Sequence, residues 1–296
     1  MNSKNNIHSV GVIGLGIIGS ALSKHIHLSD FDVMGFDIDD LKIEAAIANG
    51  IEATKKLANI TEFSEVLITC LPSNKSLDDT VNYLIDNNCD SVKIIIDTST
   101  LSLDCKTRNK DALNKIGITL LDCPISGTGK QAEDADIVIY ASGNSSSYET
   151  VLPLIRSFSR ECFYLGEFGN GTKTKLIANL LVAIHNVASA EAILLAKKTG
   201  IEMETLFNVI ASGAGSSKIF ELRAPMMIER EYQPATMKMS VWEKDLELIK
   251  ELVDAHGTDA PLFNLTKELY KKAVDLGLDD EDTASIYEIL NANSSR

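Results

Sequence analysis

The chain has 296 residues, 45% of them apolar and 24% charged, and carries a formal net charge of −14. That length accommodates two domains, and the composition is that of a globular protein with a full apolar core. The acidic balance argues against an electrostatic hold on nucleic acid or on an anionic membrane, because both need a basic patch. It also means that an anionic small molecule would need a local positive group.

Cys70, Cys89, Cys105, Cys123 and Cys162 are odd in number and dispersed, and no Cys or His spacing suits a metal. Reduced thiols, and an N-terminus MNSKNNIHSV without a charged-then-apolar leader, lead to the expectation of a cytoplasmic protein with no metal.

The first element is a strand over Val10–Gly14, followed by Gly-Leu-Gly-Ile-Ile-Gly. Gly14, Gly16 and Gly19 form G-x-G-x-x-G between a strand and a helix, with Leu15, Ile17 and Ile18 between them. In that context the first glycine makes a tight turn, the second lets backbone amides approach a pyrophosphate, and the third allows close helix packing. A helix over Ser20–Leu28 and a strand over Asp32–Phe36 come next, and Asp37 stands at the end of that strand. An acid about 20 residues beyond the loop accepts ribose hydroxyls and repels a 2′-phosphate. Ile38, Asp39 and Asp40 add acid and no arginine, so NAD is expected to be preferred over NADP.

A helix over Asp40–Asn49 precedes strands expected at Val66–Cys70, Lys93–Asp97, Thr119–Asp122, Ile137–Ala141 and Cys162–Leu165. Continuous apolar runs such as IIID suit a parallel sheet buried on both faces. The pattern is that of a Rossmann-type α/β domain, a doubly wound parallel sheet. Asp122-Cys-Pro-Ile-Ser-Gly-Thr128 follows one of these strands, where open α/β sheets place ligands. Ser126 and the amides of Gly127 and Thr128 could hold a carboxylate, although an ordinary Pro/Ser/Gly loop has the same composition.

After Gly166 the segment GEFGNG interrupts the pattern, and helical periodicity follows nearly to the end, with breaks at Gly200, Gly213–Gly215, Pro225, Pro234, Gly257–Pro261 and Gly277. The boundary is placed near Gly169, dividing the chain into a dinucleotide-binding domain over residues 1–168 and an all-α domain over residues 169–296. The stretch Leu176–Ala196 is long enough to span a bilayer. Its Asn179, His185, Asn186 and Glu191 make a buried helix the better account. On a helical wheel Lys175, Asn179 and Asn186 share one polar stripe, while Lys173 lies about 160° away and is expected to face solvent. A lysine near a helix start is more often a surface residue, but a buried one beside an asparagine has what a general acid/base needs. His185, Trp242, Met226–Met227 and Met237–Met239 read as packing residues, and Asn291–Arg296 as a polar frayed tail.

Together these segments resemble the β-hydroxyacid dehydrogenase family, which includes 3-hydroxyisobutyrate and tartronate semialdehyde dehydrogenases. GVIGLGIIGSAL is similar to that family's cofactor motif, DCPISGTGKQA to its substrate motif, GNGTKTKLIAN to its catalytic segment, and Glu243-Lys244-Asp245-Leu246 to its late K-D-L motif. The resemblance implies Lys175 as catalytic lysine with Asn179 as its partner, and Ser126 and Gly127 on the substrate carboxylate. It places Lys244 on the cofactor side of the cleft, with Leu71-Pro72 and Ser99-Thr100 flanking the nicotinamide. The segment ASGAGSSKIFELR resembles the branch acting on four-carbon sugar acids such as L-threonate. Thr128, in place of a glycine, and Ala135-Asp136-Ile137, in place of G-T-L, depart from the family pattern. The implied activity is NAD(P)-dependent oxidation or reduction of a small hydroxy acid, and the long apolar helix leads to the expectation of a homodimer or homotetramer. The alternatives are a 6-phosphogluconate-type oxidative decarboxylase, for which the helical half looks too short, and a dinucleotide-binding protein without catalysis. An imine reductase is disfavoured because those relatives lack the lysine found here at position 175.

Overall fold

The computed structural model describes residues 7–293, so the N-terminal residues 1–6 and the last three residues of the expected tail lie outside it. The chain divides into two compact units, one ending at Lys175 and the other beginning at Leu176.

In the first unit a six-stranded parallel sheet has the order β3-β2-β1-β4-β5-β6. Its strands are β1 (Ser9–Ile13), β2 (Asp32–Phe36), β3 (Glu52–Thr54), β4 (Val66–Thr69), β5 (Ile94–Asp97) and β6 (Thr119–Asp122). Side chains alternate across it. Val10, Val12, Val66, Ile68, Ile94, Ile96 and Leu121 enter one apolar cluster, and Ile13, Leu67, Ile95 and Leu120 the other. A sheet covered on both faces therefore reads as continuous apolar runs. The crossover helices are α1 (Ile17–His27), α2 (Asp40–Ala48), α3 (Leu57–Phe63), α4 (Asn74–Asp86) and α5 (Leu103–Asn114). Asp39, Ser73 and Ser102 cap three of them, satisfying amides that a helix start leaves unpaired.

Two features of this unit differ from the expectation. The runs near Ile137 and Cys162 do not extend the parallel sheet. As β8 (Val138–Ala141) and β9 (Glu161–Tyr164) they form a second sheet with the two-residue β7 (Ile125–Ser126), which pairs antiparallel to β8. The helices α6 (Gly129–Glu133) and α7 (Ser145–Phe158) complete this part. The reason lies at Pro124, which ends the run out of β6 and sends the chain back against Val138 and Ile139. The second feature is β3, which has three residues at the sheet edge, too few for a periodic signal.

The second unit is helical. It contains the body of α8 (Asn170–Thr199), then α9 (Met203–Ala211), α10 (Lys218–Glu229), α11 (Met239–Ala255), α12 (Pro261–Asp275) and α13 (Ile286–Asn293). Its core joins Leu176, Ala183, Val187 and Ile193 of α8 to Phe220, Trp242, Phe263, Tyr270 and Tyr287. By length and composition α8 could cross a membrane, yet one face of it is built into this core. Pro225 does not break α10 as expected. It removes one backbone bond, and burial of Phe220, Ala224 and Met227 carries the helix on to Glu229. Nor does the chain fray at Asn291, since α13 runs through Asn293. Trp242 is a core residue in edge contact with Tyr270, and Met227 and Met239 are buried, as packing residues should be.

Candidate active site

The loop between β1 and α1 has the properties a pyrophosphate needs. Gly14 adopts φ +96°, and a Cβ there would stand 2.4 Å from the Cys70 carbonyl. A Cβ on Gly19 would strike the Gly14 carbonyl, whereas one on Gly16 would meet nothing within 4 Å. The tight positions are thus the turn and the helix contact, and the open one faces outward, where a ligand backbone would approach. No side chain caps α1, so its first amides remain available to an anion. Leu15 differs from its expected role. Its side chain is buried and its amide donates to Asp37 Oδ2 at 2.7 Å, so Gly16, Ile17 and Ile18 carry the available backbone. Asp37 also accepts from the Asp39 amide at 3.0 Å, and each oxygen keeps a second lone pair for a hydroxyl donor.

The ends of β4 and β5 are tied together. Ser99 is buried, its Oγ accepts from the Leu71 amide at 2.8 Å, and its own amide donates to Asp97 at 3.2 Å. Ser99 therefore shapes the Leu71-Pro72 turn, and Pro72 and Thr100 lie nearer the surface. Burial pushes the Cys70 thiol up to about 12, with a bond to Thr98 opposing the effect and Asp97 adding to it.

Ser126 closes β7, half-buried, and Gly127 follows at φ +149°, where a Cβ would stand 2.7 Å from Ile137 Cγ2. Only glycine fits that position without strain. The Thr128 departure has a local explanation. Its hydroxyl caps α6 and its amide donates to Gln131 Oε1 at 3.0 Å. Asp136 is likewise structural, paired with Arg160 at 2.8 Å across the start of β8. Gly129 approaches the start of α1 so closely that a Cβ would lie 2.5 Å from Ile17 Cγ2. The substrate-type loop and the phosphate-type loop therefore lie side by side.

The first turn of α8 is fastened to the same strand ends. The Thr172 amide donates to Asp122 Oδ2 at 2.7 Å, its hydroxyl donates to Asp122 Oδ1 at 2.6 Å, and the Gly171 amide donates to Ser142 Oγ at 2.9 Å. Asp122 opens the D-C-P-I-S segment, so the strand end that leads to Ser126 also holds the turn that carries Lys175. Lys175 is half-buried. Lys173 is half-buried too and does not stand in solvent as expected, because that turn is sunk into the loops around Asp122 and Ser142.

Within the second unit, Asn179 is buried and its Nδ2 donates to Asp245 Oδ2 at 2.9 Å. Lys244 Nζ lies 3.8 Å from the other oxygen of Asp245. Asp245 stands in the K-D-L motif, where the sequence alone assigns it no role. Asn186, the third member of the stripe, turns elsewhere and donates to Tyr270 Oη and the Thr283 carbonyl, both at 2.8 Å. Among the described residues no group of three His, Cys, Asp or Glu side chains could hold a metal ion.

A phosphate loop at the carboxyl edge of a parallel sheet, with an acid at the end of the next strand, defines a dinucleotide-binding domain. Comparison with known proteins makes this specific. Residues 9–166 match the NAD binding domain of 6-phosphogluconate dehydrogenase, and residues 169–290 match the NAD-binding domain of NADP-dependent 3-hydroxyisobutyrate dehydrogenase. The chain belongs to the β-hydroxyacid dehydrogenase family and is an NAD(P)-dependent hydroxyacid dehydrogenase. It is 28% identical over 297 residues to the chloroplastic glyoxylate/succinic semialdehyde reductase 2 of Arabidopsis thaliana, covering 97% of this chain and 81% of the relative. It is 26% identical to the L-threonate dehydrogenase of Haemophilus influenzae, covering 98% of each. In fold it matches a Mycobacterium tuberculosis 3-hydroxyisobutyrate dehydrogenase with a TM-score of 0.87 at 24% identity, covering 96% of this chain and 99% of the other.

Proposed function

We propose that the enzyme transfers hydride between NAD and a small hydroxy acid, with Lys175 as the general acid/base. The observation that carries this reading is the double hydrogen bond from Thr172 to Asp122, which ties the turn bearing Lys175 to the strand end leading into the Ser126 loop. Proton transfer needs a group held within hydrogen-bond reach of the reacting hydroxyl, and a helix turn clamped at its base supports such a role for Lys175.

When bound, the dinucleotide supplies the hydride acceptor or donor. Gly16, Ile17 and Ile18 would hold its phosphates and Asp37 its ribose. Leu71, Pro72 and Thr100 would border its reactive end, over the turn that Ser99 shapes, and Lys244 is a further cofactor-binding candidate. Ser126 and the Gly127 amide would bind the substrate carboxylate as hydrogen-bond donors. In oxidation, Lys175 in its neutral form takes the hydroxyl proton as hydride leaves the same carbon and the carbonyl forms. In reduction, protonated Lys175 returns that proton to the developing alkoxide and stabilises its charge. Asn179, oriented by Asp245, places a hydrogen-bonding amide one turn from Lys175.

The match of the helical half to a 3-hydroxyisobutyrate dehydrogenase model supports dehydrogenation over decarboxylation. Both ASGAGSSKIFELR and the L-threonate dehydrogenase relative favour four-carbon sugar acids. The test is kcat/KM with NAD and NADP across L-threonate, erythronate, glycerate and 3-hydroxyisobutyrate. Threonate or erythronate with NAD is expected to lead. A lead for 3-hydroxyisobutyrate or glycerate overturns the substrate class, and no turnover of any of the acids overturns the reading.

A further inference from the structure

Lys106, on α5, is wholly buried, an unusual place for an ammonium group. Its Nζ lies 2.9 Å from Asp97 Oδ2 and 2.8 Å from Asp122 Oδ1, and both aspartates are wholly buried as well. Burial alone would drive the ammonium toward neutrality. Asp122 and Asp97 more than offset it and hold the charge above the ordinary lysine range.

The two aspartates close adjacent parallel strands at the same register, Asp97 opposite Asp122. Two carboxyl groups side by side out of water need a shared positive partner, and the Lys106 ammonium stands between them. Each is the root of a different part of the site. Asp122 accepts from Thr172 twice and from Ser142 Oγ at 3.1 Å, and Ser142 in turn holds the Gly171 amide. Asp97 accepts from Thr69 Oγ1 at 2.8 Å and from the Ser99 amide, and Ser99 holds the Leu71 amide. There is no slack at the helix end, since a Cβ on Gly171 would lie 2.3 Å from the Tyr140 carbonyl and 2.7 Å from that of Asp122.

We propose that Lys106 is a positioning residue for the reaction, setting the first turn of α8, and so Lys175, through Asp122, and the Leu71 turn through Asp97. This rests on the reading of Lys175 as the proton-transfer group. Thr172 and Lys175 are separated by less than one helical turn, about 4.5 Å of rise, so a shift at one reaches the other undamped. Without Lys106 the two buried aspartates lose the group that bridges them, and the Asp122 side chain that clamps the first turn of α8 loses its anchor.

The experiment uses the full-length enzyme and the best substrate of the acid panel. Lys106→Met is expected to lower kcat by about 10- to 100-fold, the usual cost of a misplacement near 1 Å, and to weaken NADH binding by a smaller factor through the Leu71 turn, since the Gly14–Gly19 loop is untouched. Thr172→Val keeps all three charges and removes one bond to Asp122, and a several-fold loss of kcat is expected. Because both act through Asp122, the double variant should be scarcely slower than Lys106→Met. Wild-type kcat in Lys106→Met overturns the proposal, as does a double variant whose loss is the product of the single losses. If Lys106→Met fails to fold, Thr172→Val against Thr172→Ser decides. The serine, which keeps the hydroxyl, should restore the rate, and equal rates in both overturn the proposal. Lys175→Ala, measured in parallel, separates the two readings. An active Lys175→Ala removes the proton-transfer role and this proposal with it. An inactive Lys175→Ala beside a fully active Lys106→Met removes the positioning role alone.

Discussion

Asn179 and Asp245 face each other across the core of the helical unit, amide nitrogen to carboxylate oxygen at 2.9 Å. A carboxylate can only accept, so the bond fixes which end of the Asn179 amide is committed and leaves Oδ1 as its acceptor end. Asp245→Leu removes that orientation. It is expected to lower kcat roughly tenfold, with NADH binding retained, the scale of one lost charge-assisted hydrogen bond. Steady-state kinetics and NADH fluorescence titration check this, and an unchanged kcat would show that Asn179 needs no orienting partner.

Lys175→Ala is expected to lower kcat by roughly 10²- to 10⁴-fold, the usual contribution of general acid/base catalysis. NADH binding should survive, because the Gly14–Gly19 loop is untouched. Lys175→Arg should not rescue the rate, since guanidinium stays protonated at working pH. Lys173→Ala should remain close to wild type even though Lys173 is half-buried. A folded Lys175→Ala that keeps more than about a tenth of kcat falls below that catalytic range and transfers the role to Lys244 as the next candidate.

Asp37, the proposed ribose ligand, holds the Leu15 amide. Asp37→Ala removes the charge that repels a 2′-phosphate and the loop contact together, so the preference for NAD should narrow while binding of both cofactors weakens. Asp37→Asn keeps an acceptor for the Leu15 amide and should narrow the preference with less loss of affinity. Dissociation constants for NADH and NADPH decide it. A wild-type preference for NADPH would reverse the assignment.

Ser126→Ala is expected to raise KM for the hydroxy acid about 10- to 100-fold, as loss of a hydrogen bond to a charged group does, and to leave NADH affinity alone. If NADH binding is lost instead, the loop serves the cofactor.

The sequence by itself determined the phosphate loop, the acid at the end of the second strand, the parallel sheet and the helical second half. These are local signals: glycines at fixed offsets, β-branched runs buried on two faces, and a 3.6-residue period. Lys175 and Asn179 were legible for the same reason, because one helix sets their spacing whatever surrounds it. Only the tertiary structure decided what partners they have. Asp122 meets Thr172 across 50 residues and Asn179 meets Asp245 across 66, and no periodicity encodes such pairs. It also turned the runs at Val138 and Glu161 into a separate sheet, since a two-residue strand after Pro124 leaves no pattern to read. Lys106 was the least visible residue of all. In sequence it is one more lysine on a polar helix, and only the convergence of two strand ends on its ammonium makes it a buried, paired charge.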